Sequence, residues 1–175
     1  MENGNKRSMS KKQKIVFLGT IIVVMSLLVA IIIGWSTDKP MQNSSLSKTY
    51  RIGDKFKYNG MQLKVNKVKY SGGTEYNTLE AGYEYVIVNV TITNKSGETE
   101  GYDAFDFQLR DNGKTGNLDV IFLDDTIDAL RSGTLLDGES VTGDMVGKVK
   151  KDTKSVKITY KPAFLNGKSI DFKLK

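Results

Sequence analysis

Four aspartates, Asp119, Asp124, Asp125 and Asp128, fall within ten residues of one another. Clustered carboxylates are the usual ligands of hard cations such as calcium, which prefer oxygen donors. The run from Asp111 does not have the pattern of a calcium-binding loop. Gly113 and Thr115 stand where oxygen donors belong, and Phe122 stands where a bidentate glutamate belongs. The same acids could hydrolyse a glycosidic bond, but only at a carboxyl separation that the sequence does not encode. Acidic caps on a solvated turn account for them without any ligand. If the aspartates do form a cation site, titrating calcium will raise the melting temperature.

Two Gly-Lys-Ser/Thr triplets, Gly113-Lys114-Thr115 and Gly167-Lys168-Ser169, invite a phosphate-loop reading. The required earlier glycine is replaced by Gln108 and Pro162, and both triplets sit at hairpins rather than between a strand and a helix. Ser45-Leu46-Ser47-Lys48 and Lys114-Thr115-Gly116 match two marks of penicillin-recognising serine enzymes, but the middle element is missing. The chain has no cysteine and no histidine. Disulfides, thiolate nucleophiles, Cys/His zinc sites and imidazole acid-base chemistry are therefore excluded. No cofactor is expected and the chain reads as non-enzymatic. Its tyrosines offer a different chemistry, contact. Tyr70 and Tyr76 border or occupy a glycine-rich loop over residues 71–82, and Tyr102 lies in another connection. These three form a candidate contact patch, because tyrosine presents a large surface at low entropic cost. Packing of the ring against a strand end is the plainer account.

The elements that must position these residues begin with residues 15–35, IVFLGTIIVVMSLLVAIIIGW, which carry no charge. As a helix the stretch would span about 30 Å, the thickness of a bilayer's hydrocarbon core. It is too long for a signal peptide's apolar region and has no clear cleavage site. Lys6, Arg7, Lys11, Lys12 and Lys14 precede it, against the single acid Glu2, so the N-terminus is expected to be cytoplasmic. The organisation expected is a cytoplasmic basic tail (1–14), an uncleaved transmembrane signal-anchor helix (15–35), a flexible linker (36–49) and an extracellular domain (50–175).

The net charge of +6 divides unevenly. Residues 1–35 carry five positive charges against one negative, and the rest carry 21 against 19. No nucleic-acid partner is expected. In KFKYNGMQLKVNKVKY the lysines alternate with apolar residues, which fits the solvated face of strands, with a polyanion-binding stripe as the alternative.

The outer domain reads as strands and turns. Phe56 to Tyr58, the Asn59-Gly60 turn, and Met61, Leu63 and Val65 predict a hairpin. Alternation slips at Lys67, which predicts a β-bulge at Asn66–Lys67. Val86, Val88, Val90 and Ile92 share one parity, as do Phe105, Phe107 and Leu109, and all seven are expected in the core. Asp111-Asn112-Gly113 closes a strand. Val141, Met145 and Val149 mark another strand. Val156, Ile158 and Tyr160 pair with Ile170, Phe172 and Leu174 through Asn166-Gly167. Residues 124–131, DDTIDALR, predict one or two helical turns. About seven strands in this length point to an all-β, two-sheet sandwich.

The blocks YRIGDKFKYNGMQLKVNKVK, GYEYVIVNVTITNKSGE, FDFQLRDNGK, SGTLLDGESVTGDMV and SVKITYKP together resemble a Gram-positive exported family of unknown function. Its members resemble a mycobacterial secreted immunoprotective antigen. The resemblance implies an immunoglobulin-like sandwich behind a lipoprotein signal or a single span, and it carries over no catalytic or binding residues. The segment TGNLDVIFLDDTIDA departs from the family's pattern. The expected function is a membrane-anchored module that binds a protein or another envelope component. A calcium or small-ligand sensor or scavenger is the alternative, and a carboxylate-based wall-glycan hydrolase is the third reading.

Overall fold

The structure, a computed structural model, describes residues 10–12, 42–116, 118 and 124–175. The chain divides into two units, and the second, Met41–Lys175, holds the strands. The expected span at 15–35 lies outside the described residues, as do most of the basic tail and residues 36–41 of the expected linker. Among the described residues no helix is long and apolar enough to cross a membrane.

The fold is an all-β sandwich. One sheet has the order β1 (Tyr50–Arg51), β11 (Ile170–Lys173), β10 (Val156–Tyr160), β6 (Phe107–Asp111), β7 (Lys114–Gly116). The other has the order β2 (Lys55–Tyr58), β3 (Met61–Ser71), β4 (Tyr83–Asn94), β9 (Ser140–Lys150). β5 (Glu100–Tyr102) and β8 (Gly133–Leu135) form a separate two-stranded ribbon. Among the described strands the pairings are antiparallel except β1 with β11.

β4 follows the predicted alternation. Val86, Val88, Val90 and Ile92 are buried, while Ile87, Asn89, Thr91 and Thr93 are half-exposed on the opposite face. The buried row shares one core with Leu109, Val156, Ile158, Ile170 and Phe172 of the facing sheet. Each such side chain contributes about 1.5–3 kcal/mol on burial. A run of aromatic contacts ties the sheets together. Tyr50 meets Phe172 at 5.3 Å and Phe56 at 5.6 Å, and Tyr58, Phe164, Tyr160 and Phe107 continue the run.

The tight turns fall where the sequence places them. Asn59 and Gly60 have φ 46° and 82°, and Asn112 and Gly113 have 46° and 83°. Both central residues are left-handed, as a two-residue hairpin turn requires. The β10–β11 connection is longer than the expected Asn166-Gly167 hairpin turn, because the 3-10 turn Ala163–Leu165 precedes Asn166 and buries Leu165. The bulge lies between Val65 and Lys67, as the slipped alternation predicts.

Three expectations need correcting. Phe105 is not in the core and is 77% exposed. The Asp103 carboxylate accepts the Phe105 N–H at 2.9 Å and caps the 3-10 turn Ala104–Asp106, so alternation begins only at Phe107. Residues 124–131 form no helix. The Asp128 carbonyl accepts from Asp144 N–H and the Leu130 N–H donates to the Asp144 carbonyl. A helix would bond these backbone groups internally, whereas here they extend the edge of β9 through a parallel bridge at Ala129. The coil expected up to Thr49 is held from Asn43 onward. The Ser44 N–H donates to the Lys57 carbonyl, Asn43 bonds Asn59, and the Tyr50 hydroxyl donates to the Ser45 carbonyl.

Leu130 seals the β9 edge because Gly143 has no side chain. A Cβ at Gly143 would lie 2.6 Å from the Leu130 Cα, inside any real contact distance. Gly143→Ala is expected to cost about 1–3 kcal/mol, read as a lower urea midpoint at unchanged slope. An unchanged midpoint would show that the edge segment yields freely.

Candidate functional site

The outer face of the β2-β3-β4-β9 sheet gathers lysines, amides and hydroxyls. Lys55 and Lys57 point away from the core on either side of buried Phe56. On β3 the side chains opposite the outer positions of β4 are Gln62, Lys64, Lys67 and Lys69, paired with Thr93, Thr91, Asn89 and Ile87. Lys64 has even parity, whereas Lys67 and Lys69 have odd parity. Without the bulge, strict alternation would send Lys67 and Lys69 into the core. The extra residue, Asn66, keeps all three lysines on one face and adds its own amide to it.

Beside these lysines runs a ladder of amides and hydroxyls. The Asn66 side-chain amide donates to Asn89 Oδ1 at 2.9 Å and to Thr91 Oγ1 at 2.8 Å. The Asn89 amide donates to Asp144 Oδ1 at 2.7 Å. Thr91 and Thr142 share a hydroxyl contact at 2.7 Å, and Thr93 and Ser140 share one at 2.8 Å. Lys55, Gln62, Lys64, Asn66, Thr91 and Thr93 line an open groove of about 220 Å³. Among the described residues the salt bridges are Lys48–Asp54 and Lys157–Asp171, so Lys55, Lys57, Lys64 and Lys67 have no carboxylate partner. The face thus presents unneutralised cations over a row of donors and acceptors, which suits an anionic, hydroxyl-bearing ligand. The sequence shows the lysines, but only the bulge register shows that they share a face.

The three candidate tyrosines do not form one patch. Tyr70 lies near the C-terminal end of β3, opposite Val86, with the Lys175 ammonium 5.7 Å from its ring centroid. Burial raises its hydroxyl pKa, and Glu84 adds to the shift. Tyr76 is 72% exposed on the loop beyond that end. Tyr102 lies past the opposite end of β4, paired with Gly133, and its ring occupies the space where a Gly133 side chain would sit. The two ends of the sheet are separated by about 30 Å.

The described members of the candidate metal set, Asp124, Asp125 and Asp128, are not grouped as metal ligands. Asp119 lies outside the described residues. Asp124 accepts from the Thr126 hydroxyl at 2.7 Å and the Thr126 N–H at 2.8 Å, which hold its carboxyl below the usual range, with Lys69 adding a smaller pull. Asp125 and Asp128 are exposed. The Asp128 N–H donates to Asp144 Oδ2 at 3.2 Å. Among the described residues no three acidic side chains are grouped to hold a metal ion.

A carboxyl that the sequence gives no reason to single out is Asp106. It is half-buried at the end of the 3-10 turn, and burial, with Asp103 adding charge repulsion, pushes its pKa up to about 6. Asp103 moves the other way, lowered by hydrogen bonds from the Ser132 hydroxyl and the Phe105 N–H. Carboxyls displaced in opposite directions are a mark of acid-base sites. This pair instead sits on the turn that carries exposed Phe105, outside the sheet-face groove. Asp106 also raises the buried Tyr160 hydroxyl, after desolvation.

Comparison with known proteins places residues 50–170 in the family model described as a domain of unknown function (DUF4352). Over 125 residues the chain is 27% identical to the uncharacterized lipoprotein YjhA of Bacillus subtilis, covering 65% of this chain and 59% of that protein, less than two thirds of its length. The crystal structure of the yjhA protein of Bacillus subtilis matches with a TM-score of 0.57 at 23% identity, over 73% of this chain and 100% of that one. The ycdA protein of Bacillus subtilis matches with a TM-score of 0.59 at 22% identity, over 69% of this chain and 38% of that one. A secreted protein of Mycobacterium tuberculosis, MPT63, matches with a TM-score of 0.53 at 14% identity, over 73% and 98%. At these identities the structural likeness is one of fold. The mycobacterial resemblance expected from the sequence blocks is met.

Asp106 gives the domain a pH dependence of known sign. Its folded pKa lies above the ordinary 3.8, so its contribution favours the fold below that value and is lost as pH rises through about 6. Asp106→Asn is therefore expected to raise the melting temperature at neutral pH and to leave it unchanged in acid below the ordinary carboxylate range. Equal melting shifts at both pH values would refute the assignment.

Proposed function

The chain belongs to the DUF4352 family, a domain of unknown function, and from that premise we propose that it is a non-catalytic, extracytoplasmic immunoglobulin-like binding module. In this reading the apolar segment at 15–35 holds it at the cell membrane with the N-terminus cytoplasmic, and the lysine-framed sheet face contacts another component of the envelope. A relative named as a lipoprotein supports an envelope setting. This chain has no cysteine to carry a lipid, and an uncharged stretch of membrane length behind a basic tail could do the same work.

The observation that carries the proposal is the outer face. Unpaired Lys55, Lys57, Lys64 and Lys67 stand over the Asn66–Asn89–Thr91 network, while the opposite side of the same sheet is core. Cations left without partners cost little in water and are available to an incoming charge. A non-catalytic role is supported by the lack of histidine and cysteine and by the placement of the displaced Asp103/Asp106 pair on an exposed turn.

The sandwich has its own continuous core, so the portion from residue 42 onward can be studied alone. When mixed with Bacillus subtilis envelopes, it is expected to sediment with them. Replacing Lys55, Lys64 and Lys67 by Glu should weaken retention by about 10-fold, the sum of several modest ion-pair losses. Tyr76→Ala should leave it unchanged. A folded triple-Glu variant that sediments like the parent would remove the sheet face from the proposal.

A further inference from the structure

Resting on that reading, we propose that the ligand of the sheet face is a linear phosphodiester-linked polyol, lying along β3 with its phosphates on the lysines and its hydroxyls on the Thr91 and Thr93 ladder. Two independent features of the face point to this chemistry.

The first is the arrangement of charge. Lys64, Lys67 and Lys69 form a row along β3, and Lys55 lies directly across from Lys64. Alternate residues on a strand are about 6.7 Å apart and neighbouring strands about 4.8 Å. The spacing along the row is comparable to one repeat of a phosphate-linked three-carbon polyol, so successive phosphates can meet successive ammonium groups. The row is bounded on the β9 side by Asp144, which is engaged by Asn89 and by the Asp128 N–H, and by Asp124 near Lys69. Asp144 repels a polyanion crossing toward β9 and favours a path along β3, and Asp124 draws on Lys69 at the end of the row, which leaves Lys64 and Lys67 as its free cations.

The second is the hydroxyl ladder. In each of the pairs Thr91/Thr142 and Thr93/Ser140, one hydroxyl donates to the other. The second hydroxyl of each pair keeps a proton to donate, and lone pairs remain on Thr93 and Ser140, whereas Thr91 already accepts from the Asn66 amide. Such a surface exchanges hydrogen bonds with a polyol, which both donates and accepts. A ligand of bare phosphates could only accept.

Other polyanions fit less well. An anionic bilayer takes apolar side chains below its headgroups, yet of the exposed large apolar residues, Ile52, Tyr76, Phe105 and Leu136 lie on turns and loops, and Tyr70 stands opposite Val86 on the inner parity of β3. Single-stranded nucleic acid needs aromatic platforms. On the outer positions of β4, Tyr85 is buried and Tyr83 lies under Lys148, whose ammonium is 5.0 Å from the ring centroid. A folded protein partner needs an apolar or aromatic interface centre, and the centre of this face is amide and hydroxyl.

The test is a titration of the isotope-labelled domain, residues 42–175, with synthetic poly(glycerol phosphate), followed by NMR. Neutral polyglycerol, inorganic polyphosphate, single-stranded DNA and phosphatidylglycerol vesicles serve as parallel probes. Poly(glycerol phosphate) should move the amides of Lys64, Asn66, Lys67 and Thr91, and the affinity should fall steeply as salt rises. Lys64→Glu with Lys67→Glu should weaken it about 10-fold. Thr93→Val should weaken poly(glycerol phosphate) several-fold while sparing inorganic polyphosphate. Thr91→Val, which also removes a partner of Asn66, is a second variant, used once its melt matches the parent. Equal binding of neutral polyglycerol, or tighter binding of DNA or vesicles, would overturn the inference. So would a Thr93→Val effect shared equally by polyphosphate. If no probe binds but the domain still sediments with envelopes through the lysines, the polyol assignment falls and the envelope-binding reading stands. If sedimentation is lost as well, both fall.

Discussion

A strand has a period of two, and β4 is held to that period over its whole length by partners on both sides. β3 pairs with it from Met61 to Ser71, and β9 from Ser140 to Lys150. Because Val86, Val88, Val90 and Ile92 must all face the core, neither neighbour can slip without exposing its own apolar side chains. The sequence of β3 does not keep strict alternation, so the conflict is absorbed at one residue. Asn66 bulges out, Val65 and Val68 both stay on the inner side, and the lysines stay outside. The sorting of charge from core across the sheet depends on that one inserted residue.

The bulge does not leave its polar groups idle. A bulged residue has an unmatched place in the ladder, and Asn66 uses its side chain to bind Asn89 and Thr91 on the next strand. Asn94 does similar work at the end of β4. It is fully buried, its amide donates to the Glu98 and Leu135 carbonyls, and its side-chain oxygen accepts from Ser96. This ties the end of the central strand to the turn after it and to β8. Among the described residues no buried side-chain polar atom lacks a partner, as expected where leaving one unpaired costs about 1–3 kcal/mol.

These constraints have a functional consequence. A β-sandwich buries one face of each sheet and leaves the other to water, so the outer face can vary without cost to the core. Here that freedom is used for lysines, amides and hydroxyls in register. The edges and turns carry the remaining unusual groups, Asp106 on its capped turn and Phe105 beside it. The rigid strands hold the outer face in a fixed geometry, whereas Tyr102 lies at the opposite end of the sheet from Tyr70 and Tyr76.

Features that depend on neighbours along the chain are readable from the residues alone. The parity of Val86 to Ile92, the left-handed Asn-Gly turns and the slip near Asn66 are local patterns, and each appears where it was legible. Tertiary structure decided what depends on partners far away. Phe105 has strand parity, but the cap from Asp103 turns it out, and Ser132, distant in sequence, completes that corner. Residues 124–131 have helix-like ends, but the open edge of β9 offered their backbone better partners at Asp144. That Lys55, Lys64 and Lys67 share one face follows only from the register of β2 on β3 and β3 on β4. The raised Asp106 follows from burial and from Asp103. Strand pairing and desolvation are long-range effects, and a single sequence records their local causes without their outcome.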